Sequence, residues 1–137
     1  MKIVDATTRE IPAWLDLCRE VEPLFGPMPN FLSTLENKIN QRAAICVLRP
    51  SIDAGDEFVG GALLGGMSPD FWIRWLAVRR SSRNHGAGSA LISEALIRFL
   101  PPCRISVDTF RDDSVWGKPA RRLYERFGFL PGELIED

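Results

Sequence analysis

The sequence predicts an α/β domain built on a mixed sheet, and three observations carry that prediction. Short apolar runs that read as strands alternate with stretches of helical periodicity, in the order β-α-α-β-β-β-α-β-α-(β). One strand, Phe71 to Val78, is apolar at nearly every position, as expected of a central strand covered on both faces. That strand leads through a short basic turn into a helix that opens on Gly86-Ala87-Gly88.

Taken in order, Lys2 to Thr7 reads as a short strand, with Thr7 or Thr8 placed to cap the helix that follows. That helix is expected to run to about Val21 with Ile11, Trp14, Leu15 and Cys18 on one face. Three prolines and a glycine between Pro23 and Asn30 predict a stiff, irregular, partly apolar loop. A second helix, from about Phe31 to Gln41, carries Phe31, Leu32, Leu35 and Ile39 at helical spacing. Ala43 to Leu48 reads as a strand, and Arg49-Pro50-Ser51 as the start of a polar turn. Glu57 to Met67 is the next strand, its Gly60-Gly61 and Gly65-Gly66 pairs pointing to bulges or close packing.

The helix from Ala87 to about Leu100 is apolar around much of its circumference and is stopped by Pro101-Pro102. Arg104 to Phe110 is a further strand, and Arg111 to Lys118 a polar loop. A last helix begins near Pro119, a residue welcome in a first helical turn. Its stripe is Ala120, Leu123, Tyr124 and Phe127, and Gly128 is the expected C-terminal cap. Trp14, Trp72, Trp75 and Phe99 are expected in the core, and Arg121, Arg122 and Arg126 on a solvated helix face.

The 137 residues suffice for one domain, spanning 1–137, with a real core. The formal net charge of −1 gives no general basic field and argues against a nucleic-acid partner. Cys18, Cys46 and Cys103 form no CxxC pair, sit in apolar surroundings and read as buried, reduced thiols of a cytoplasmic protein. A single histidine leaves too few ligands for a His/Cys zinc site, so no metal is expected. No signal-peptide pattern and no run of membrane-spanning length is present, so no membrane association is expected.

Charge is nevertheless uneven, because Arg79, Arg80 and Arg83 crowd the turn before the Gly-rich helix. The first N–H groups of a helix lack intrahelical partners, and the helix dipole adds partial positive charge there. Gly86 and Gly88 let an anionic ligand approach that main chain closely. A phosphate-bearing small molecule fits this turn. The spacing is neither the Gly-x-Gly-x-x-Gly of dinucleotide-binding folds nor a P-loop, since no Gly-Lys-Ser/Thr follows. His85 reads as a loop residue contributing its backbone N–H.

Arg83-x-x-Gly86-x-Gly88 after Leu76-Ala77-Val78, followed by Leu123-Tyr124-Glu125-Arg126-Phe127-Gly128-Phe129, resembles the GCN5-related N-acetyltransferase (GNAT) superfamily. The order of elements matches that fold from first strand to last helix. The resemblance implies that Arg83, Asn84, His85, Gly86, Ala87, Gly88 and Ser89 hold the pyrophosphate of acetyl-CoA through backbone N–H groups. It implies that Leu76, Ala77 and Val78 on a bulged central strand read the pantetheine arm through main-chain groups. It makes Tyr124 the general acid for the departing CoA thiolate.

Two positions depart from the family pattern. Many relatives carry an Asn seven residues before the tyrosine, where this chain has Gly117, with Lys118 beside it to reach a phosphate. Relatives often place a Glu base on the central strand, and the matching stretch here offers Arg74. Asp70, Asp108 or a water chain are the alternatives for the base. Arg74 near the acceptor favours a substrate carrying a carboxylate. By the same analogy the loop Glu22 to Asn30 borders the acceptor, with Phe25 and Met28 as an apolar wall. The C-terminus is short of the family's usual strand pair, so either the fold is trimmed here or a second subunit completes the sheet, which invites a homodimer. The resemblance thus implies acetyl transfer from acetyl-CoA to an amine of a small molecule or peptide. The alternative is a CoA-binding sensor or interaction module that keeps the fold without turnover.

Overall fold

The computed structural model describes residues 1–52, 55–99, 103–107 and 127–128. Asp108, Gly117, Lys118, Tyr124 and the strand expected at the C-terminus lie outside the described residues, as does the last helix up to Phe127. Strands β1 (Lys2–Asp5), β2 (Ala44–Ser51), β3 (Gly55–Met67), β4 (Asp70–Val78) and β5 (Arg104–Val107) form one sheet in chain order. The first four are antiparallel neighbours, and β4 pairs with β5 in parallel. A parallel neighbour requires a crossover, which α3 (Ala87–Arg98) supplies. Helices α1 (Ile11–Phe25) and α2 (Phe31–Asn40) join β1 to β2.

Each face of the sheet carries its own core. On one side Trp14, Leu17 and Val21 of α1 and Phe31 and Leu35 of α2 pack on Ala44, Cys46, Phe58, Leu63, Trp75 and Ala77. On the other, Ala87, Leu91, Ile92 and Ala95 of α3, with Phe99, pack on Ile45, Val47, Val59, Ala62, Leu64 and Ile73. Strand β2 alternates between the two clusters residue by residue, as the two-residue period of a strand requires. Two register shifts break that alternation. Val59 is an extra residue on β3 opposite the Val47/Leu48 step, and Arg74 is an extra residue on β4 opposite the Leu63/Leu64 step. A bulge of one residue exchanges the faces of everything beyond it. Phe71 and Ile73 therefore look toward α3, whereas Trp75 and Ala77 look toward α1 and α2.

The glycine pairs expected to mark bulges or close packing do both. Gly60 follows the β3 bulge, and a Cβ there would lie 2.8 Å from the carbonyl oxygen of Ala77. Gly61 makes room for the ring of Trp14.

Several local expectations need correction. A capping box between Thr7 and Glu10 opens a single 3-10 turn (Thr8–Glu10), and the α-helix starts only at Ile11. Helix α1 then continues to Phe25, with Pro23 inside it, rather than ending near Val21. Pro23 lies in the last turn on the exposed side and forfeits one hydrogen bond there, while the anchors Val21 and Phe25 hold the turn to the core. Strand β2 runs through Arg49 and Pro50 to Ser51, because these residues still pair with Glu57, Asp56 and Gly55 beside the hairpin end. Leu32 is exposed, since the buried face of α2 is set by Phe31 and Leu35. Among the cysteines only Cys46 is fully buried; Cys18 and Cys103 are half-buried, and all three are free. Trp72 is half-buried at the surface of β4, not in the core. Phe127 packs against the α3-side cluster, and Gly128 has φ +89, the backbone geometry expected of a helix-ending glycine. Among the described residues no helix is long and apolar enough to cross a membrane, and no group of three or more His, Cys, Asp or Glu side chains could hold a metal ion.

Candidate functional site

The basic turn after β4 sorts its arginines into different tasks. Arg79 points inward: its backbone N–H donates to the Val59 carbonyl (2.9 Å) and its Nε to the Phe58 carbonyl (3.0 Å). It therefore braces the end of β4 against the bulge of β3. Arg83 folds back over the turn, and its Nε donates to the Val78 carbonyl at 3.2 Å. The backbone N–H of Arg80 donates to Glu20 Oε2 at 2.8 Å, tying the turn to α1. Between them Ser82 is 98% buried, and its hydroxyl oxygen has no hydrogen-bond partner among the described residues.

The turn ends with Asn84 at φ +65 and Gly86 at φ +88, two left-handed residues that swing the chain into α3. Gly86 is the N-cap of α3, and no side chain caps the helix. The first in-helix bond runs from the Ala90 N–H to the Gly86 carbonyl, at 3.0 Å. The N–H groups of Gly86, Ala87, Gly88 and Ser89 are thus left without acceptors in the helix. A Cβ on Gly86 would meet nothing nearer than Met1 Cε at 3.9 Å, so the space beside Gly86 is open. Uncapped donors, open space and the positive end of a dipole make an anion cradle.

A second group of residues gathers at the β4 bulge, on the α1/α2 face. The Arg74 guanidinium lies 4.2 Å from the centroid of the Trp72 ring. Gly65 of β3 lies beneath it: a Cβ built there would sit 3.1 Å from Lys38 Nζ and 3.3 Å from Arg74 Nε. Lys38 of α2 and Arg74 of β4 therefore reach over the same bare glycine. Burial, and then the charge of Arg74, push the Lys38 ammonium below the ordinary lysine pKa. Phe25, at the end of α1, packs on Trp75 with ring centroids 5.8 Å apart. Phe25 thus packs on Trp75, the residue next to Arg74, whereas Arg74 itself stacks on Trp72. Met28 lines an adjoining groove of about 210 Å³ between α1 and α2, with Leu15, Cys18 and Phe31.

Leu76 and Val78 are half-buried toward α3, and Ala77 is buried toward α1. Asp70 is exposed at the start of β4, eight residues from Val78, roughly 26 Å at the usual strand rise. By the same rise Arg74 stands roughly 13 Å before the turn. His85 is exposed in the turn itself. Lys38 and Ser82 escaped sequence reasoning. Lys38 lies three residues after the buried Leu35, on the flank of the α2 stripe, and that spacing was its one signal.

A family model of the acetyltransferase (GNAT) domain matches residues 41–131, from the start of β2 past the cradle. The chain belongs to the GNAT acetyltransferase family. No curated protein sequence matches it significantly. Among solved structures the chain is similar to Rv2747 from Mycobacterium tuberculosis, determined in complex with CoA and NLQ: 22% identity, TM-score 0.72, covering 97% of this chain and 74% of that one. Ard1 from Thermoplasma volcanium gives 19% identity and a TM-score of 0.72, over 96% and 84% of the two chains. A transcriptional regulator from Bacillus halodurans gives 19% identity and a TM-score of 0.73, over 99% and 97%. At such identities these likenesses speak for the fold alone.

Proposed function

We propose that this GNAT domain transfers the acetyl group of acetyl-CoA directly to an amine of a small molecule or peptide. The observation that carries the reading is the uncapped start of α3, where Gly86 at φ +88 has open space beside it and the first four backbone donors lack acceptors in the helix. In this reading Arg83 to Ser89 hold the pyrophosphate. Hydrogen bonds to a charged acceptor contribute about 1.5–3 kcal/mol each, so a few of them suffice for anchoring. The buried Ser82 hydroxyl, which lacks a partner among the described residues, fits a turn that is completed by a bound oxyanion. Gly117 and Lys118 would add contacts from the loop before the last helix. Leu76, Ala77 and Val78 would guide the pantetheine arm by main-chain groups toward the bulge at Arg74.

At that bulge the acceptor nitrogen attacks the thioester carbonyl carbon; the new C–N bond forms, the C–S bond breaks and the sulfur leaves as thiolate. Tyr124 is the proposed donor of the proton that converts this thiolate to free CoA thiol. An amine of pKa near ~10.4 must first lose a proton, which at pH 7 costs roughly 4–5 kcal/mol at ~1.36 kcal/mol per unit. Asp70, Asp108 or a chain of waters would take it. Phe25 and Met28 would offer the acceptor its apolar wall.

A second reading, a CoA-binding sensor or interaction module without turnover, is favoured by one feature. The bulge carries the cation Arg74 where many relatives carry a carboxylate base. Calorimetric titration with CoA and amine-dependent thiol release from acetyl-CoA, over a panel of small amines, amino acids and peptides, test both readings. Heat with CoA together with amine-dependent release supports transfer; heat without release supports the sensor; no heat removes both.

A further inference from the structure

We propose that Glu20 of α1 is a positioning residue for the cofactor turn: its carboxylate holds the Arg80 N–H and keeps the anion cradle in the arrangement that receives CoA. The inference rests on the CoA-binding reading above and adds to it a residue from outside the turn.

The turn opens on a short 3-10 segment, Arg80–Ser82, and the side chain of its N-cap, Arg79, makes no capping hydrogen bond. The first N–H groups of a helical segment have no acceptor within it. Glu20 Oε2 accepts one of them, the Arg80 N–H, at 2.8 Å and from 60 residues earlier in the chain. Helix α1 packs on one face of the sheet and α3 on the other. This bond therefore ties the α1 layer to the turn that feeds the opposite layer.

Both ends of the tether are firm. Leu17 and Val21, on either side of Glu20 along α1, are 0% and 1% exposed, so the helix is fixed on the sheet where the carboxylate leaves it. Arg79, the residue before Arg80, is pinned to the Phe58 and Val59 carbonyls of β3. Two consecutive residues are thus held by two different elements just ahead of Asn84 and Gly86, whose left-handed geometry shapes the cradle.

Charge alone does not account for a carboxylate at this place. A negative group a few residues ahead of an anion cradle opposes the anion. The hydrogen bond acts in the other direction, because a turn fixed beforehand loses less freedom when its ligand binds. An ionised acceptor also makes the stronger bond to a backbone N–H. The two effects differ in sign, and a pair of variants separates them.

The purified full chain, Glu20→Gln and Glu20→Ala are each titrated calorimetrically with CoA. Both variants lose the charge and both residues suit a helix, but only glutamine keeps an acceptor oxygen. The Kd for CoA of Glu20→Ala should stand about five- to tenfold above that of Glu20→Gln, the range of one net hydrogen bond. The Kd of Glu20→Gln should match that of the unsubstituted chain or lie below it. A readout without ligand accompanies this: amide hydrogen exchange at Arg80 should be about tenfold faster in Glu20→Ala than in Glu20→Gln.

Equal Kd values in the two variants, with Glu20→Ala shown to be folded by urea denaturation, overturn the inference and leave CoA binding standing. Faster Arg80 exchange without weaker binding does the same, since the bond then serves the fold and not the cradle. If the unsubstituted chain gives no heat with CoA, the cofactor reading itself fails and the inference falls with it.

Discussion

Trp14 occupies the space that a side chain at position 61 would need. A Cβ built on Gly61 would fall within 2.7 Å of both Cζ2 and Cζ3 of the Trp14 ring, and that ring is completely buried. The contact locks α1 onto β3, and the ring goes on to meet Phe58 at 5.4 Å and Trp75 at 5.8 Å between centroids. Trp75 in turn touches Phe25, so one aromatic chain links the bare glycine to the proposed acceptor wall.

The first prediction follows from that fit. Gly61→Ala should destabilise the domain by about 1–3 kcal/mol, the range of an overpacked core. Chemical denaturation measures it, and the lost stability should be partly recovered in Gly61→Ala/Trp14→Phe, where the smaller ring yields space. A neutral Gly61→Ala would mean that the indole can move aside.

Gly86 makes the opposite case, because space there is open and only the backbone angle is demanding. Gly86→Val should cost about 1–2 kcal/mol, the penalty of a left-handed residue with a branched Cβ. Gly86→Asn should cost less, since asparagine tolerates that region. For function the order should hold in the same sense: CoA affinity by calorimetry falls at least tenfold in Gly86→Val and less in Gly86→Asn. Wild-type affinity in a folded Gly86→Val would remove the α3 start from cofactor binding.

Much of this was legible beforehand, and the remainder has identifiable causes. The order of elements, the helix-opening glycines and the central place of β4 follow from periodicity and turn chemistry alone. The face of each β4 side chain does not, because the extra residue Arg74 exchanges the faces halfway along a strand that is apolar on both sides of it. Alternation cannot reveal a flip where both faces are buried. The extension of α1 through Pro23 was hidden for another reason. A local rule against proline was outweighed by the tertiary anchoring of Val21 and Phe25. Lys38 was invisible as a site residue because an exposed-looking lysine on an amphipathic helix is usually a solvated one, and only the meeting of α2 with Gly65 and Arg74 distinguishes it.

Cys46 predicts a pH dependence. Burial first, and then the charges of Glu10 and Asp5, push its thiol up to about 12 from an ordinary thiol value of 9.0. The folded state thus keeps a proton that the unfolded chain loses first. Stability from this group is fully present below pH 9 and declines as pH climbs from about 9 toward 12, by up to ~1.36 kcal/mol per unit. Urea unfolding at pH 8 and pH 10 should show the loss, and Cys46→Ala should show less of it. Native-state thiol labelling at pH 8 should likewise leave Cys46 untouched until the domain unfolds.

Tyr124 carries the last prediction, on chemistry rather than stability. A phenol of pKa near ~10 protonating a thiolate of pKa near ~8.5 moves the proton uphill by about 2 kcal/mol, so the acid assists a leaving group that already departs readily. Tyr124→Phe should therefore lower kcat by about 10²-fold, the low end of general-acid effects, without changing the Kd for CoA. The loss should shrink with an acyl donor whose thiol is more acidic, because such a thiol needs less help to leave. A variant that turns over at the wild-type rate, or one equally impaired with every donor, would remove Tyr124 from proton donation.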